Sequence, residues 1–267
     1  RLRGMCETAM AVDAADINRD GWDDVLVMDM LPSDHVTRQT RWDNVWKQVV
    51  PAPLEDPAFS PEYPRNMLYL NRGDGTWTEI ARLAGLNATG WSWAVVFLDV
   101  DLDGYEDVLI TTGHARDMLH ADILRNMGQA PAGKEAESRV RHYQKYQPML
   151  LPNLAFRNRG DLTFAEMGKA WGFDNAEVCH GMALGDLDND GDLDVVVNQY
   201  RGAAAVYRND TPAPRLAIRL RGQSPNTHGI GARIKVRGGP VPQSTEIISG
   251  GRYLSGDGAT RCFAVGP

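Results

Sequence analysis

Oxygen-bearing side chains recur at one spacing three times along the chain. They are Asp16, Asn18, Asp20 and Asp24; Asp99, Asp101, Asp103 and Asp107; and Asp186, Asp188, Asp190 and Asp194. Each stretch reads D-x-[DN]-x-D-G-x-x-D. Hard oxygens at positions 1, 3, 5 and 9, with a glycine at 6 for a sharp turn, suit a hard cation such as Ca2+. Position 7, held by Trp22, Tyr105 and Asp192, is expected to add a backbone carbonyl. The chemistry this predicts is structural: three Ca2+ sites, each tying together the two segments that its loop joins.

An EF-hand opens the same way but needs a bidentate Glu at position 12 and a helix on each side. Here position 12 is Val27, Ile110 or Val197. Short branched runs follow each loop: 25–28, 108–111 and 195–198. Such runs, bounded by turn residues, read as buried strands. Each loop therefore joins two strands.

The loops lie 83 and 87 residues apart, and other features keep the register. The stretch 66–77 recurs as 153–164, and 84–86 recurs as 171–173. A third copy is cut short at 206–209. Fixed-period self-similarity decides architecture before local detail does. Each unit reads as four strands: one into the loop (roughly 5–14, 91–98 and 179–185), one out of it, a third, and a fourth after a Gly-Asp turn. Four-stranded antiparallel repeats are propeller blades. The expected fold is all-β: three blades (about 5–83, 90–168 and 179–213), then a small β-rich C-terminal domain over 214–267.

Two inserts, 32–65 and 114–152, separate the second and third strands of the first two units. In the first, Trp42, Val45, Trp46 and Val49 have helical spacing, ended by Pro51, Pro53 and Pro57. The second predicts helices near 117–127 and 134–147, broken at 130–133. Strand order puts the acidic loops at one face and both inserts at the other, packed together. Long connections on a rigid scaffold carry function. The insert face is therefore the expected partner surface, for a protein or a glycan.

Composition narrows the partners. The chain has 267 residues, a hydrophobic fraction of 43% and a formal net charge of −7. The acid excess lies before residue 215; the tail is basic. An acidic body argues against nucleic acid. No run of about 18 apolar residues is present to span a membrane. Cys6, Cys179 and Cys262 allow one disulfide at most, with no C-x-x-C spacing. The chain opens at Arg1 directly into a strand pattern, which is the expectation for a processed product or a piece of a longer protein with any export signal upstream.

Other chemistry fares worse. Arg72-Gly-Asp74 and Arg159-Gly-Asp161 spell an integrin-binding tripeptide, but they are the same inter-strand turn in two units. Cys179 and His180 are strand neighbours that point to opposite faces, which is poor for a nucleophile and its base. His114 and His120, with Asp117 and Asp122, offer a metal or acid–base site at the start of the second insert. A solvated helix start is the plainer reading.

The loops resemble FG-GAP or VCBS repeats, the calcium-binding blades of integrin-like propellers. The stretches 90–104 and 28–32 are similar to exported bacterial proteins of the cartilage-acidic-protein type. Those often end in an ASPIC/UnbV domain, whose N-x-x-G-I-G-A signature resembles 226–236 here, and 250–255 resembles its second half. The resemblance implies an exported, calcium-stabilised propeller of about seven blades, extracellular, at the cell surface or periplasmic, with no established catalytic residues. Two departures stand out. Three blades do not close a ring, so further blades are expected from an upstream segment or another chain. The tail also stops at Phe263-Ala-Val-Gly-Pro267, short of the Gly-Leu-Gly type ending, as a truncated domain would. The alternative is a secreted, polysaccharide lyase-like enzyme using the insert face, where Arg139, Arg141, His142, Tyr143, Lys145 and Tyr146 cluster in sequence.

Overall fold

A computed structural model describes residues 2, 4–41, 60–117, 120–122, 137, 140–141, 143–144, 146 and 148–266. The regular secondary structure of the described residues is overwhelmingly β. The first unit comprises β1 (Met5–Cys6), β2 (Ala11–Ala15), β3 (Asp24–Met28), β4 (Glu62–Tyr63), β5 (Met67–Asn71) and β6 (Trp77–Glu79). The second comprises β7 (Ser92–Leu98), β8 (Asp107–Thr112), β9 (Leu151–Pro152), β10 (Leu154–Asn158) and β11 (Phe164–Glu166). The third comprises β12 (Ala176–Glu177), β13 (Cys179–Gly185), β14 (Asp194–Gln199) and β15 (Ala205–Tyr207). The tail holds β16 (Arg215–Arg219), β17 (Arg233–Val236), β18 (Gln243–Glu246) and β19 (Thr260–Ala264).

Sheet order follows chain order. Two four-stranded antiparallel sheets run β2-β3-β5-β6 and β7-β8-β10-β11. A third runs β13-β14-β15. Two expectations are corrected here. The third sheet has three strands among the described residues, because the chain leaves β15 for β16, which pairs with β19. Residues 5–6 do not extend the first inner strand. They pair in parallel with 62–63, where the Met5 and Glu7 N–H groups donate to the Pro61 and Tyr63 carbonyls at 3.0 and 3.1 Å.

The sheets stack face to face through two apolar layers. Leu26, Leu68 and Leu86 of the first unit meet Val95, Val108, Phe156 and Phe164 of the second. The second sheet's other face gives Ala94, Val96, Leu109 and Ala155 to Met182, Leu184, Val195 and Val197 of the third. This explains the unbroken apolar runs: a strand sandwiched between two sheets is buried on both sides, so β8 shows no alternation.

Two short helices are seen among the described residues. In α1 (His35–Gln39), the Asp34 carboxylate accepts the Thr37 N–H at 2.6 Å. In α2 (Ala81–Ala84), Gly85 closes the turn at φ +80. The expected helix at 42–49 with its prolines, and most of those near 117–127 and 134–147, lie outside the described residues. The inserts do meet where described: Arg41 bridges to His120, and the Ala121 N–H reaches the Thr40 carbonyl at 2.9 Å. No helix among the described residues is long and apolar enough to cross a membrane.

Candidate metal centre

All three acidic loops have one backbone shape. Position 4 is left-handed in each: Arg19 (φ 64), Leu102 (φ 53) and Asn189 (φ 63). The glycine at position 6 is left-handed too: Gly21, Gly104 and Gly191, at φ 92–99. Two such residues reverse the chain within nine, bringing positions 1 and 9 together. Strands, not helices, flank every loop.

The carboxylates divide the work. Those at position 9 are buried and keyed into backbone. Asp24, Asp107 and Asp194 each accept the N–H of loop position 2 on one oxygen, at 2.8–3.1 Å. The other oxygen accepts the N–H of an asparagine at the end of the third strand or just past it: Asn71, Asn158 or Asn209, at 2.8–2.9 Å. Asp16 and Asp99 accept the N–H groups of positions 5 and 6. These bonds use one lone pair per oxygen and leave the others free.

In the second loop, acceptor oxygens of Asp99, Asp101 and Asp107 lie within 4.8 Å of one another. In the third loop, those of Asp186, Asp188 and Asp190 do so. Ligands on opposite sides of a Ca2+ ion stand about 5 Å apart, twice its 2.3–2.6 Å bond. Asp101 Oδ1 and Asp186 Oδ1 are buried without a hydrogen-bond partner. An all-oxygen set with orphaned buried acceptors fits a hard cation. The first loop gathers less tightly: the Asn18 amide donates to Asp20 Oδ2 at 3.0 Å, so this pair is internally satisfied.

Electrostatics point the same way. Burial pushes Asp24 and Asp99 up to about 7, and neighbouring loop carboxylates add to the shift. Asp107 is raised well above the usual carboxylate range, chiefly by burial. Arginines offset part of this charge. Arg157 grips Asp101 at 2.6 Å and Asp103 at 2.9 Å. Arg215 grips Asp190 at 2.9 Å and Asp192 at 2.8 Å.

Position 7 does something the sequence reading did not anticipate. The side chains of Trp22 and Tyr105 pack beneath Gly73 and Gly160, the middle residues of the two Arg-Gly-Asp turns. In those turns Asp74 and Asp161 cap the N–H and hydroxyl of Thr76 and Thr163. The tripeptides are thus equivalent structural turns. Asp192 is buried against Arg215 instead.

Asn158 and Asn209, inside the repeated stretches, take a role that their spacing does not reveal. Asn158 Nδ2 crosses to the Ile17 carbonyl in the first loop at 2.9 Å. Asn209 Nδ2 crosses to the Val100 carbonyl in the second, also at 2.9 Å. Each rivets its own sheet to the loop of the preceding one. Asn158→Ala is expected to cost about 1–3 kcal/mol by leaving buried groups unpaired, read as a lower urea midpoint with an unchanged slope. An unchanged midpoint would show that the rivet is idle.

Other candidates separate. His114 packs tilted against Trp91 at 4.1 Å, and His180 meets the edge of Trp93 at 4.7 Å. Cys179 is buried in the opposite layer, as the strand alternation required, and all three cysteines are free. His120 Nδ1 accepts the Asp122 N–H, and no histidine joins a metal-type cluster among the described residues. Arg141 pairs with Glu137 in solvent. His142, Arg139 and Lys145 lie outside the described residues.

Residues 58–110 and 152–197 match the family model of the FG-GAP-like repeat. Both spans contain the third and fourth strands of one sheet, then the acidic loop with the first two strands of the next. The chain is thus an all-β protein carrying FG-GAP-like repeats. No curated protein matches it significantly.

Proposed function

We propose that the three sheets are blades of a β-propeller whose acidic loops hold structural Ca2+. Residues 214–267 form an ASPIC/UnbV-like β domain on this reading, and the protein is an exported, non-enzymatic scaffold. One observation carries it: the same left-handed pair and the same doubly keyed position-9 aspartate recur in all three loops. The ligands would be the position 1, 3, 5 and 9 oxygens with the carbonyls of Trp22, Tyr105 and Asp192. Bound calcium supplies the countercharge that these buried carboxylates lack. The weak sites of about 10⁻⁴–10⁻³ M found in extracellular modules fit export.

The partner, a protein or a glycan, docks on the insert face in this account. Partly exposed Trp93, His114, His180 and Tyr253 cluster at that end of the sheets. Rigid rings give large contact area at little entropic cost. Remaining blades come from an upstream segment or another chain. Native mass spectrometry in calcium is the test: three ions per chain are expected. A chain that carries none sinks the reading.

A further inference from the structure

The two sheet-to-sheet layers share a framework of equivalent residues, and one difference between them opens space. In the first layer Ile17, Leu26, Leu86 and Phe156 surround Phe164, which comes from the fourth strand of the second sheet. Their counterparts in the second layer are Val100, Leu109, Phe173 and Tyr207. No counterpart of Phe164 exists, because the third sheet lacks a fourth strand among the described residues. In its place is an open cleft of about 360 Å³, lined by those same four residues. Trp171, standing where the first unit has Ala84, narrows the cleft without filling it. A cavity of about 150 Å³ already accepts benzene.

The backbone beside the cleft is open as well. Leu68 and Ala155 each accept an N–H at the end of the fourth strand, from Ile80 and Met167. Arg72 and Arg159 each donate to its threonine carbonyl. The equivalent groups are the Val206 carbonyl on β15 and the Asp210 N–H just after it, and Val206 is 62% exposed. No described strand pairs with this side of β15. An unpaired strand edge is a template for another strand. Here it borders a cleft continuous with the interface between the second and third sheets.

We propose that β15 is a docking edge for an extended segment of a partner chain, which adds as the fourth strand of the third sheet. The segment places one large apolar side chain, aromatic by the precedent of Phe164, in the cleft. This inference rests on the repeat register of the proposed function and not on the cation, so loss of calcium binding would leave it standing.

The probe is a synthetic peptide with the sequence of residues 161–168, titrated calorimetrically into the intact 267-residue chain. Saturable binding is expected, weakened at least tenfold when the peptide's phenylalanine becomes alanine. Val206→Pro in the protein is expected to abolish binding. Its N–H faces away from β14, since alternate residues face opposite ways and the Asn209 N–H faces Asp194; edge strands tolerate proline. Should that variant misfold, the peptide substitution still decides, because it leaves the protein untouched. Failure to bind at millimolar peptide, or binding indifferent to the phenylalanine, overturns the proposal. So does a dimer through β15 that the peptide cannot dissociate.

Discussion

Chelating calcium from the loaded protein is expected to lower its unfolding free energy by about 8 kcal/mol. Each site contributes about 2.7 kcal/mol at a hundredfold excess of ion over the dissociation constant, and three sites add if independent. The physical source is the crowding already described. Asp99 and Asp107 are buried side by side, with Asp101 and Asp103 near, and Arg157 pairs with the latter two. A cation between them converts mutual repulsion into a strap across β7 and β8. Magnesium should do less, since it demands octahedral geometry and keeps its waters. Asp101→Ala sharpens the test. It removes one ligand and the Arg157 contact but none of the backbone keys at positions 1 and 9, so it should lose one ion and about a third of the calcium effect. Thermal unfolding with calcium, with magnesium and with chelator reads all of this. A melting temperature indifferent to calcium would exclude the structural role.

Much of this molecule was legible because its local rules repeat. Three loops at one spacing, each followed by an apolar run, predicted strand–loop–strand units, and the sheets follow that order. The Arg-Gly-Asp turns were correctly read as turns, because Asn71 and Asn158 precede them in register. What escaped was long-range. Nothing in the sequence near Asn158 says that its amide will cross to Ile17. Trp22 and Tyr105 were chosen for their carbonyls, while their rings have packing partners about fifty residues away under the turn glycines. The missing fourth strand was half visible, since the third copy stopped at Asn209. The cleft it leaves became apparent only once Tyr207 could be placed opposite Phe173, at 4.8 Å between ring centroids.

The least legible feature is an ion cluster that joins the chain's two ends. Asp13 on β2 and Asp257 in the tail flank Arg252, and all three side chains are under 10% exposed. Arg252 Nη2 lies 2.8 Å from Asp257, and Asp13 also accepts the Phe97 N–H at 2.7 Å. Asp257 in turn accepts the Leu184 N–H at 3.1 Å. The cluster thus reaches the first strand of each of the three stacked sheets, β2, β7 and β13, and ties the tail to them. Arg252→Met should cost about 3–5 kcal/mol, because it strands two buried carboxylates. Adding Asp13→Asn should recover part of that loss, a coupling that two independent sites would not show.

The cost should depend on pH, and its sign is fixed. Burial raises the Asp13 carboxyl above its ordinary value, and Arg252 is the main group pulling it back. Without Arg252 the folded protein holds a proton that the unfolded chain has released. Stability then falls as pH rises through that window, since the native state binds more protons. The variant's deficit should therefore be largest at pH 7.5 and smaller at pH 5, measured as the difference in urea midpoints from the unsubstituted protein. A deficit constant across that range would mean that lost packing by the arginine stem, rather than unpaired charge, sets the cost.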